Sequence, residues 1–223
     1  MNGLSEGNRM SSSEIAYYDL KRKIIELQYV PKQQLIEEQL SKELKVSRTP
    51  LREALYRLTL EGLLIKKSNG RIHVAPITLK EVEDVYQVRE VMEGLIAKEA
   101  TINMTVEKLQ VLEDLLVLMK LSAEQNRNEH TVIYGGQFHD VLYSLSTNQT
   151  AKRFMAQLNG QIERYRRISG LKNPRNIHTF PVQEHRELLD LIRQGNPGKV
   201  EKEMRKHINR SKEIAKKTLD LNY

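Results

Sequence analysis

The sequence predicts a mainly α-helical protein with a small N-terminal module and a larger, all-α C-terminal domain. Long stretches place Leu, Ile and Val at i, i+3 and i+4 between charged residues, which is the spacing of amphipathic helices. Aromatic residues make up only 5% of the 223 residues, and glycine is sparse. One segment, "LLIKKSNGRIHVAP", has two short β-prone runs around an Asn-Gly turn signal. We therefore expect many helices and one small hairpin.

The N-terminal module is predicted to span residues 13–77, after a polar segment at 1–12 that we expect to be disordered. Pro31 breaks the chain between the first two helices, and Pro76 closes the module. The expected helices lie at about 13–27, 37–44 and 45–62. Three helices followed by a hairpin are the layout of a winged helix-turn-helix, which places its third helix in the DNA major groove.

The C-terminal domain, 78–223, is predicted to begin at a capping box formed by Thr78 and Glu81. Short polar breaks separate helical patterns over the rest of the chain. The expected helices lie at about 78–101, 105–126, 131–146, 149–169, 181–194 and 197–219. This predicts an all-α helical bundle of about six helices.

Composition limits the classes of function. The chain has 36 Lys and Arg against 29 Asp and Glu, a net charge of +7, which suits a polyanionic partner such as nucleic acid. It has no cysteine, which excludes disulfides and thiolate metal sites. No apolar run is long enough for a membrane span, and the polar start lacks the apolar core of a signal peptide. We expect a cytoplasmic protein with no membrane partner.

The third helix, "KVSRTPLREALYRL", has a buried face and a polar N-terminal end. Leu51, Ala54, Leu55 and Leu58 recur at helical spacing and should pack in a core. At the polar end, hydroxyl groups can cap the helix and donate to a phosphate, while arginines four residues apart can reach phosphates or guanine edges. The wing could follow the DNA backbone or the minor groove. The candidate DNA-binding residues are Ser47, Arg48, Thr49, Arg52, Gly70 and Arg71. The alternative is a capped surface helix with solvated arginines.

Three histidines are candidate ligands in the C-terminal domain. His185 lies 10 residues before Gly195 and His207 lies 12 residues after it, so the two would sit at similar heights in an antiparallel helix pair. A third imidazole from His139 would complete a set of three nitrogens suited to Zn²⁺ or Ni²⁺. The alternative for each histidine is a surface or hydrogen-bonded core residue.

The N-terminal module resembles the GntR family of bacterial transcription regulators. "KVSRTPLREALYRLTLEGLL" followed by "NGRIHV" is similar to that family's "GVSRTPVREAL" signature with its wing glycine. The resemblance implies DNA contact by Arg48, Thr49 and Arg52, with Ser47 and Gly70 as lesser candidates. Tyr29 and Lys32 stand near Pro31 where the family commonly has glycines, so this turn must avoid a positive φ or accept strain.

The C-terminal domain resembles the FCD type of the FadR branch, which binds small-molecule effectors. The resemblance rests on "R..lE", on "D..FH..L....N" and on the final "EH" and "M..H" patterns. The resemblance implies that the effector is a small organic acid with a carboxylate group. The residues implied in effector binding are Arg89, His139, His185 and His207. For Arg89 the alternative is a salt bridge on the helix surface.

Gly135 departs from this family pattern, because many such domains have an aspartate there that joins the three histidines as a metal ligand. Asp140 cannot replace it, since adjacent helical residues point about 100° apart. The loss of an anionic ligand should weaken metal binding. Two alternatives follow: one divalent metal on His139, His185 and His207, or a metal-free pocket in which the histidines bind an anionic effector directly.

The leading hypothesis is a ligand-responsive transcription regulator that binds a palindromic operator as a homodimer. A metal-dependent hydrolase using the three histidines is the main alternative, since a catalytic site needs three protein ligands and an open position. Against it, no carboxylate in the sequence pairs convincingly with them as a general base. A structural nucleoid or RNA-binding protein is a third possibility, which the low aromatic content disfavours.

Overall fold

The computed structural model describes residues 10–172 and 179–220, and the side chains of all of these except 170–172, 179, 180 and 220. The chain divides into two compact units, Met1–Pro76 and Ile77–Tyr223. The predicted fold class is confirmed, because helices dominate and the described strands form one small sheet. The expected disorder over 1–12 falls mostly on residues outside the described ranges, and the first helix already begins at Ser12.

The first unit contains three helices and three short strands. They are α1 (Ser12–Ile25), β1 (Gln34–Leu35), α2 (Glu37–Leu44), α3 (Arg48–Leu60), β2 (Leu64–Lys66) and β3 (Ile72–Val74). A capping box starts α1, since Ser11 accepts from the Glu14 amide and the Glu14 side chain accepts from the Ser11 amide. The order of helices, then hairpin, is the one predicted.

The sheet has the order β1-β3-β2, with both pairings antiparallel. In the β2–β3 hairpin Ile65 lies opposite His73, and the Gly70 amide donates to the Lys67 carbonyl at 2.8 Å. Gly70 has φ +79°, a conformation that glycine adopts without a steric penalty. Strand β1 was not predicted, because two residues are too few to show an alternating pattern.

The core of this unit forms between α1, α3 and the sheet. Leu51, Ala54, Leu55 and Leu58 of α3 are all buried, as their spacing predicts. From α1, the main buried residues are Ala16, Tyr17, Leu20 and Ile24. One face of α3 is therefore fixed in the core, and its N-terminal end is left to solvent.

Two lysines of this unit have left-handed backbone. Lys32, after Pro31, has φ +69°, and Lys45, which caps the C-terminus of α2, has φ +53°. A side chain with a Cβ is disfavoured there by roughly 1–2 kcal/mol. The turn at Lys32 thus accepts strain rather than avoiding the positive φ.

The second unit consists of helices over its described residues. They are α4 (Leu79–Ile102), α5 (Val106–Glu124), α6 (Asn128–Leu145), α7 (Gln149–Lys172), α8 (Thr179–Arg193) and α9 (Pro197–Asp220). The predicted capping box of Thr78 and Glu81 starts α4. None of the helices in the described ranges has the apolar length that a bilayer crossing requires.

Helices α4 and α9 pack closely along most of their length. Gly94 allows this approach, because a Cβ there would lie 2.8 Å from Cγ of Arg205 on α9. Glu83 on α4 is bound by two lysines of α9, Lys216 at 2.7 Å and Lys212 at 3.1 Å. All six helices of this unit contribute residues to the polar interior described below.

Candidate functional site

The N-terminal end of α3 is exposed and lacks an ordinary cap. Ser47 occupies the N-cap position, but its side chain makes no capping hydrogen bond. An N-cap hydroxyl normally accepts from the amide two or three residues on, and here the third residue is Pro50, which has no N–H. The expectation that a hydroxyl group, of Ser47 or Thr49, caps the helix is therefore not met at the N-cap residue Ser47. Its hydroxyl and the amides of Arg48 and Thr49 face solvent at the positive end of the helix dipole.

Arg52 lies one turn further along and is 65% exposed. Its Nε donates to Oε2 of Glu37 at 2.9 Å, which links the start of α2 to α3. Arg48, Arg52 and Tyr56 follow one another at four-residue spacing, and Tyr56 is 64% exposed. Sequence reasoning missed Glu37 and Tyr56. An exposed aromatic four residues after Arg52 was the signal available for Tyr56.

The wing residues lie at the tip of the β2–β3 hairpin. Gly70 and Arg71 are both exposed, and the Arg71 amide donates to Oδ1 of Asn69 at 3.1 Å. The side chain of Arg71 is thus presented by a tight turn and can reach a phosphate.

The three histidines of the second unit meet in its interior. His139 on α6, His185 on α8 and His207 on α9 are all buried. One ligand nitrogen from each lies within 4.8 Å of the others. The His185 and His207 ring centres are 4.7 Å apart, as their similar distances from the helical break predict.

Each histidine has one ring nitrogen held by an oxygen. Nδ1 of His139 lies 2.5 Å from Glu93, and Nδ1 of His207 lies 2.7 Å from Glu184. Nδ1 of His185 lies 2.7 Å from the Pro181 carbonyl, an acceptor only, so this nitrogen must carry the proton. The Pro181 contact leaves Nε2 of His185 with a free lone pair. Ionised Glu93 and Glu184 would do the same for His139 and His207, as in carboxylate–histidine–metal arrangements.

Burial lowers the pKa of all three imidazoles, so they are neutral at pH 7. Nε2 of His139 and Nε2 of His207 lie 3.4 Å apart, and Nε2 of His185 is buried with no hydrogen-bond partner among the described residues. Three neutral nitrogens that turn lone pairs toward one point suit a divalent cation.

Glu93 and Glu184 are the carboxylates that position two of these rings, and sequence reasoning gave neither a role. Glu93 is buried and also accepts from Nε of Arg89 at 2.7 Å. Burial alone would raise the pKa of Glu93, but the nearby His139 and Arg89 outweigh it and hold that pKa well below its ordinary value. Burial raises the pKa of Glu184 to about 7, although the charge of Arg210 opposes the rise.

A cavity of about 130 Å³ adjoins the histidines. Arg89 lines it and is 1% exposed, so its salt bridge with Glu93 is buried and does not lie on the helix surface as the alternative had it. Arg166 of α7 lines it too, and sequence reasoning missed this residue. Burial and the neighbouring Arg89 lower the pKa of Arg166. Nη2 of Arg166 and Nη1 of Arg89 are buried without hydrogen-bond partners among the described residues, so both can donate to an anion.

Gly135 and Gly136 of α6 also line this cavity. A Cβ at position 135 would lie 3.8 Å from Nε2 of His185, and a Cβ at 136 would lie 3.3 Å from Nη1 of Arg166. A short acidic side chain at 135 would therefore face the histidine nitrogens. Asp140 is exposed and does not take that place.

A winged helix-turn-helix unit and a helical unit with a polar interior cavity define a DNA-binding protein with a ligand-binding domain. Comparison with known protein families supports this assignment. Residues 12–74 match the family described as bacterial regulatory proteins, gntR family, and residues 84–210 match the FCD domain. The chain belongs to the GntR family of transcription regulators and carries a C-terminal FCD domain.

Individual relatives agree with this assignment. The Nta operon transcriptional regulator of Aminobacter aminovorans is 30% identical over 73% of this chain and 74% of that protein. The HTH-type transcriptional regulator YdhC of Bacillus subtilis is 26% identical over 92% of this chain and 91% of its own length. The solved structure of E. coli McbR/YncC, 19% identical, covers 94% of this chain and 99% of its own with a TM-score of 0.80, which shows the fold. The relatives are regulators, so the prediction that this chain is not an enzyme is confirmed.

Proposed function

We propose that the protein binds a palindromic operator as a homodimer and that a small organic acid in its C-terminal domain controls this binding. Residues 13–77 form the DNA-binding domain, and 78–223 form the effector-binding and dimerisation domain of a FadR-branch regulator. The observation that carries the proposal is the uncapped, exposed start of α3. It presents two amides, two hydroxyls and the guanidinium groups of Arg48 and Arg52 on a rigid helix.

Some of these groups position the protein on the DNA backbone, and others read the base sequence. Ser47, Thr49 and the free amides donate to phosphates, since a helix N-terminus with no internal acceptors favours anions. Arg52 reads base edges from within the groove, and Arg48 contacts phosphate or base beside it. Arg71, presented by Gly70 at the wing tip, contacts the backbone. A single α3 reads only a few base pairs, so twofold symmetry on a palindrome supplies the rest of the specificity.

Selection from a random duplex library with the full-length protein tests this proposal. The enriched sequences should be inverted repeats, and titration at the enriched site should give two chains per duplex. Enrichment of sequences without a repeat, or of none at all, would contradict it. Ester and phosphodiester turnover measured on the same preparation should stay at background, which separates a regulator from the hydrolase alternative.

We also propose that His139, His185 and His207 hold one divalent metal, Zn²⁺ or Ni²⁺. Their Nε2 atoms supply the ligands, while Glu93, Glu184 and the Pro181 carbonyl fix the rings through Nδ1. When bound, the metal supplies a Lewis-acidic position for an effector oxygen.

A metal-free anion pocket is the weaker alternative. With its proton on Nδ1, a neutral imidazole has only a lone pair at Nε2, and a lone pair repels an anion. Arg89 and Arg166 remain the groups that donate to the effector directly.

Metal analysis after chelation and reloading tests the site. At equilibrium with Zn²⁺ or Ni²⁺ the wild type should bind about one ion per chain, and His185→Gln should bind much less. His130→Gln is the matched control, because His130 is an exposed residue of α6 and should leave metal content unchanged. Equal binding by His185→Gln would remove the metal from this cluster.

A further inference from the structure

Tyr56 of α3 has a side chain that the folding of its own unit does not use. It is 64% exposed, and the described part of the chain gives it neither a hydrogen bond nor a ring contact. The other tyrosines of this unit are engaged: the hydroxyl groups of Tyr17 and Tyr29 donate to Glu61 and Glu43, and the ring of Tyr18 packs edge-on against Tyr17 at 4.9 Å. A large aromatic residue left in solvent on α3 is therefore available to a partner.

Tyr56 lies on the side of α3 that faces away from the core. Successive residues of a helix point about 100° apart, so Tyr56 points within about 20° of Thr49 and about 40° of Arg52. Ala54 and Leu58, two residues away on either side, point about 160° from it and are buried. Tyr56 thus belongs to the same exposed surface as the candidate DNA-binding residues Thr49 and Arg52.

The position of Tyr56 along the axis places it further from the bases than those residues. A helix rises about 1.5 Å per residue, so Tyr56 lies about 6 Å beyond Arg52 and about 12 Å beyond Arg48. The major groove is about 8.5 Å deep, and a recognition helix contacts base edges with its N-terminal residues. When the start of α3 reaches the base edges, Tyr56 stands at the edge of the groove, where the phosphates are.

We propose that Tyr56 is a further DNA-contacting residue, whose phenolic O–H donates to one phosphate at the edge of the major groove in each half-site. This inference rests on the proposed binding of an operator through α3, and it adds a contact that fixes how deeply α3 enters the groove. A tyrosine suits this task because it carries a neutral donor at the end of a side chain with only two rotatable angles. Contacts to phosphate position a protein on DNA without reading its sequence.

Such a contact has a signature that an arginine does not share. A neutral hydroxyl group releases no counterion from the DNA, so its loss leaves the slope of log K against log salt unchanged. Loss of an arginine that neutralises a phosphate, as proposed for Arg71, reduces that slope. Loss of a residue that reads a base edge instead changes the preferred sequence. Tyr56 should therefore affect affinity while leaving both the salt slope and the base preference unchanged.

Tyr56→Phe tests the hydroxyl group alone, because it keeps the ring. The affinity of the full-length protein for a selected operator is measured by fluorescence anisotropy at several salt concentrations, and the selection from random duplexes is repeated with the variant. We expect a loss of affinity on the order of 10- to 100-fold for the two half-sites together, with an unchanged salt slope and the same enriched sequence. Tyr18→Phe is the matched control, since Tyr18 is 55% exposed but lies on α1, and it should bind as the wild type does.

Operators with a single phosphate per half-site replaced by a neutral methylphosphonate locate the contact. At one position the replacement should weaken binding by the wild type and weaken binding by Tyr56→Phe much less, because that variant has already lost the hydrogen bond. This comparison is a double-mutant cycle between one side chain and one phosphate.

The outcomes separate this inference from the proposal beneath it. If the wild type binds no inverted repeat, the proposed operator binding is wrong and the role of Tyr56 is wrong with it. If the wild type binds and Tyr56→Phe has the same affinity as Tyr18→Phe, operator binding stands and this inference is overturned. A changed enriched sequence for Tyr56→Phe, or equal losses for both proteins at every methylphosphonate, would also overturn the assignment to a phosphate.

Discussion

Replacing Arg52 with alanine should abolish specific operator binding while leaving the protein folded. Arg52 lies on the exposed face of α3, and its one described ion pair is with Glu37 at 2.9 Å. Because the arginine is 65% exposed and the glutamate 35%, this pair contributes only about 0–1 kcal/mol to stability. The melting temperature should therefore change by only a few degrees, and a loss of DNA affinity cannot be attributed to unfolding.

The expected loss of affinity is large. A good base contact is worth roughly 1–3 kcal/mol, and a dimer on a palindrome loses two of them, or about 2–6 kcal/mol. At tenfold per 1.4 kcal/mol this is a loss of about 30-fold to 10⁴-fold. Glu37 adds to this loss of affinity, because without Arg52 its negatively charged carboxylate has no partner and lies next to the DNA. The double variant Arg52→Ala with Glu37→Gln should recover part of the affinity, and a double-mutant cycle measures that part.

Fluorescence anisotropy with a selected operator, at fixed moderate salt, provides the measurement. Arg22→Ala is the charge-matched control, because Arg22 is an exposed residue of α1 bound to Asp19 and Glu26 and lies outside the α3 surface. It should lose little affinity. If Arg52→Ala binds the operator as tightly as Arg22→Ala, α3 does not read the DNA and the proposed recognition surface is wrong.

Three further predictions follow from particular residues. Lys45→Gly should raise the free energy of unfolding by about 1 kcal/mol, because glycine relieves the left-handed backbone at φ +53°, whereas Lys42→Gly within α2 should lower it by about as much; urea titration compares the two. Arg71→Ala should weaken binding to all DNA sequences alike and reduce the slope of log K against log salt by about 0.9 per lost phosphate contact, near 1.8 for a dimer; a selective loss at one base pair would instead show that the wing reads sequence. The two lysines of α9 lower the pKa of Glu83 from 4.5 to about 2, so the stability this residue supplies is present above pH 4.5 and is lost as pH falls toward 2. The difference in urea midpoint between the wild type and Glu83→Gln should therefore shrink over that interval, and a difference independent of pH would contradict the ion pairing.

The helices could be predicted from the sequence because each has one buried face. Leu51, Leu55 and Leu58 are buried by the same i, i+3, i+4 spacing that defines the helix. The periodicity of the sequence and the packing of the core therefore predict the same helix. Strand β1 escaped prediction because its pairing with β3 is set by tertiary structure rather than by its two residues. Helix ends differed by a few residues, as at α6, which begins at Asn128 rather than 131.

Only the part of the site whose residues are related by their spacing along helices could be predicted from the sequence. The distances of His185 and His207 from one helical break placed them at the same height, since a helix pair converts residue number into length. Glu93 lies on α4 and Arg166 on α7, and neither helix carries one of the histidines, so no spacing along a single helix relates them to the site. The same holds for the pairing of Arg52 with Glu37, which joins residues 15 apart across a turn.

The interior of the C-terminal domain contains buried polar groups that face a cavity and have no partner among the described residues. Nε2 of His185, Nη2 of Arg166 and Nη1 of Arg89 are buried, and the described residues give them no hydrogen-bond partner. Each such group costs about 1–3 kcal/mol of stability, and proteins of this kind have only about 5–15 kcal/mol in total. Apolar residues of the same shape would remove that cost, which favours the proposal that these polar groups bind ligands. Two of them are donors for an anion and one is a lone pair for a cation, which means that no single simple ion satisfies all three. The arrangement fits a metal and an organic anion bound together. Since ligands that bind only the folded state stabilise it, occupancy of this cavity should act directly on the stability and dynamics of the domain that contains it.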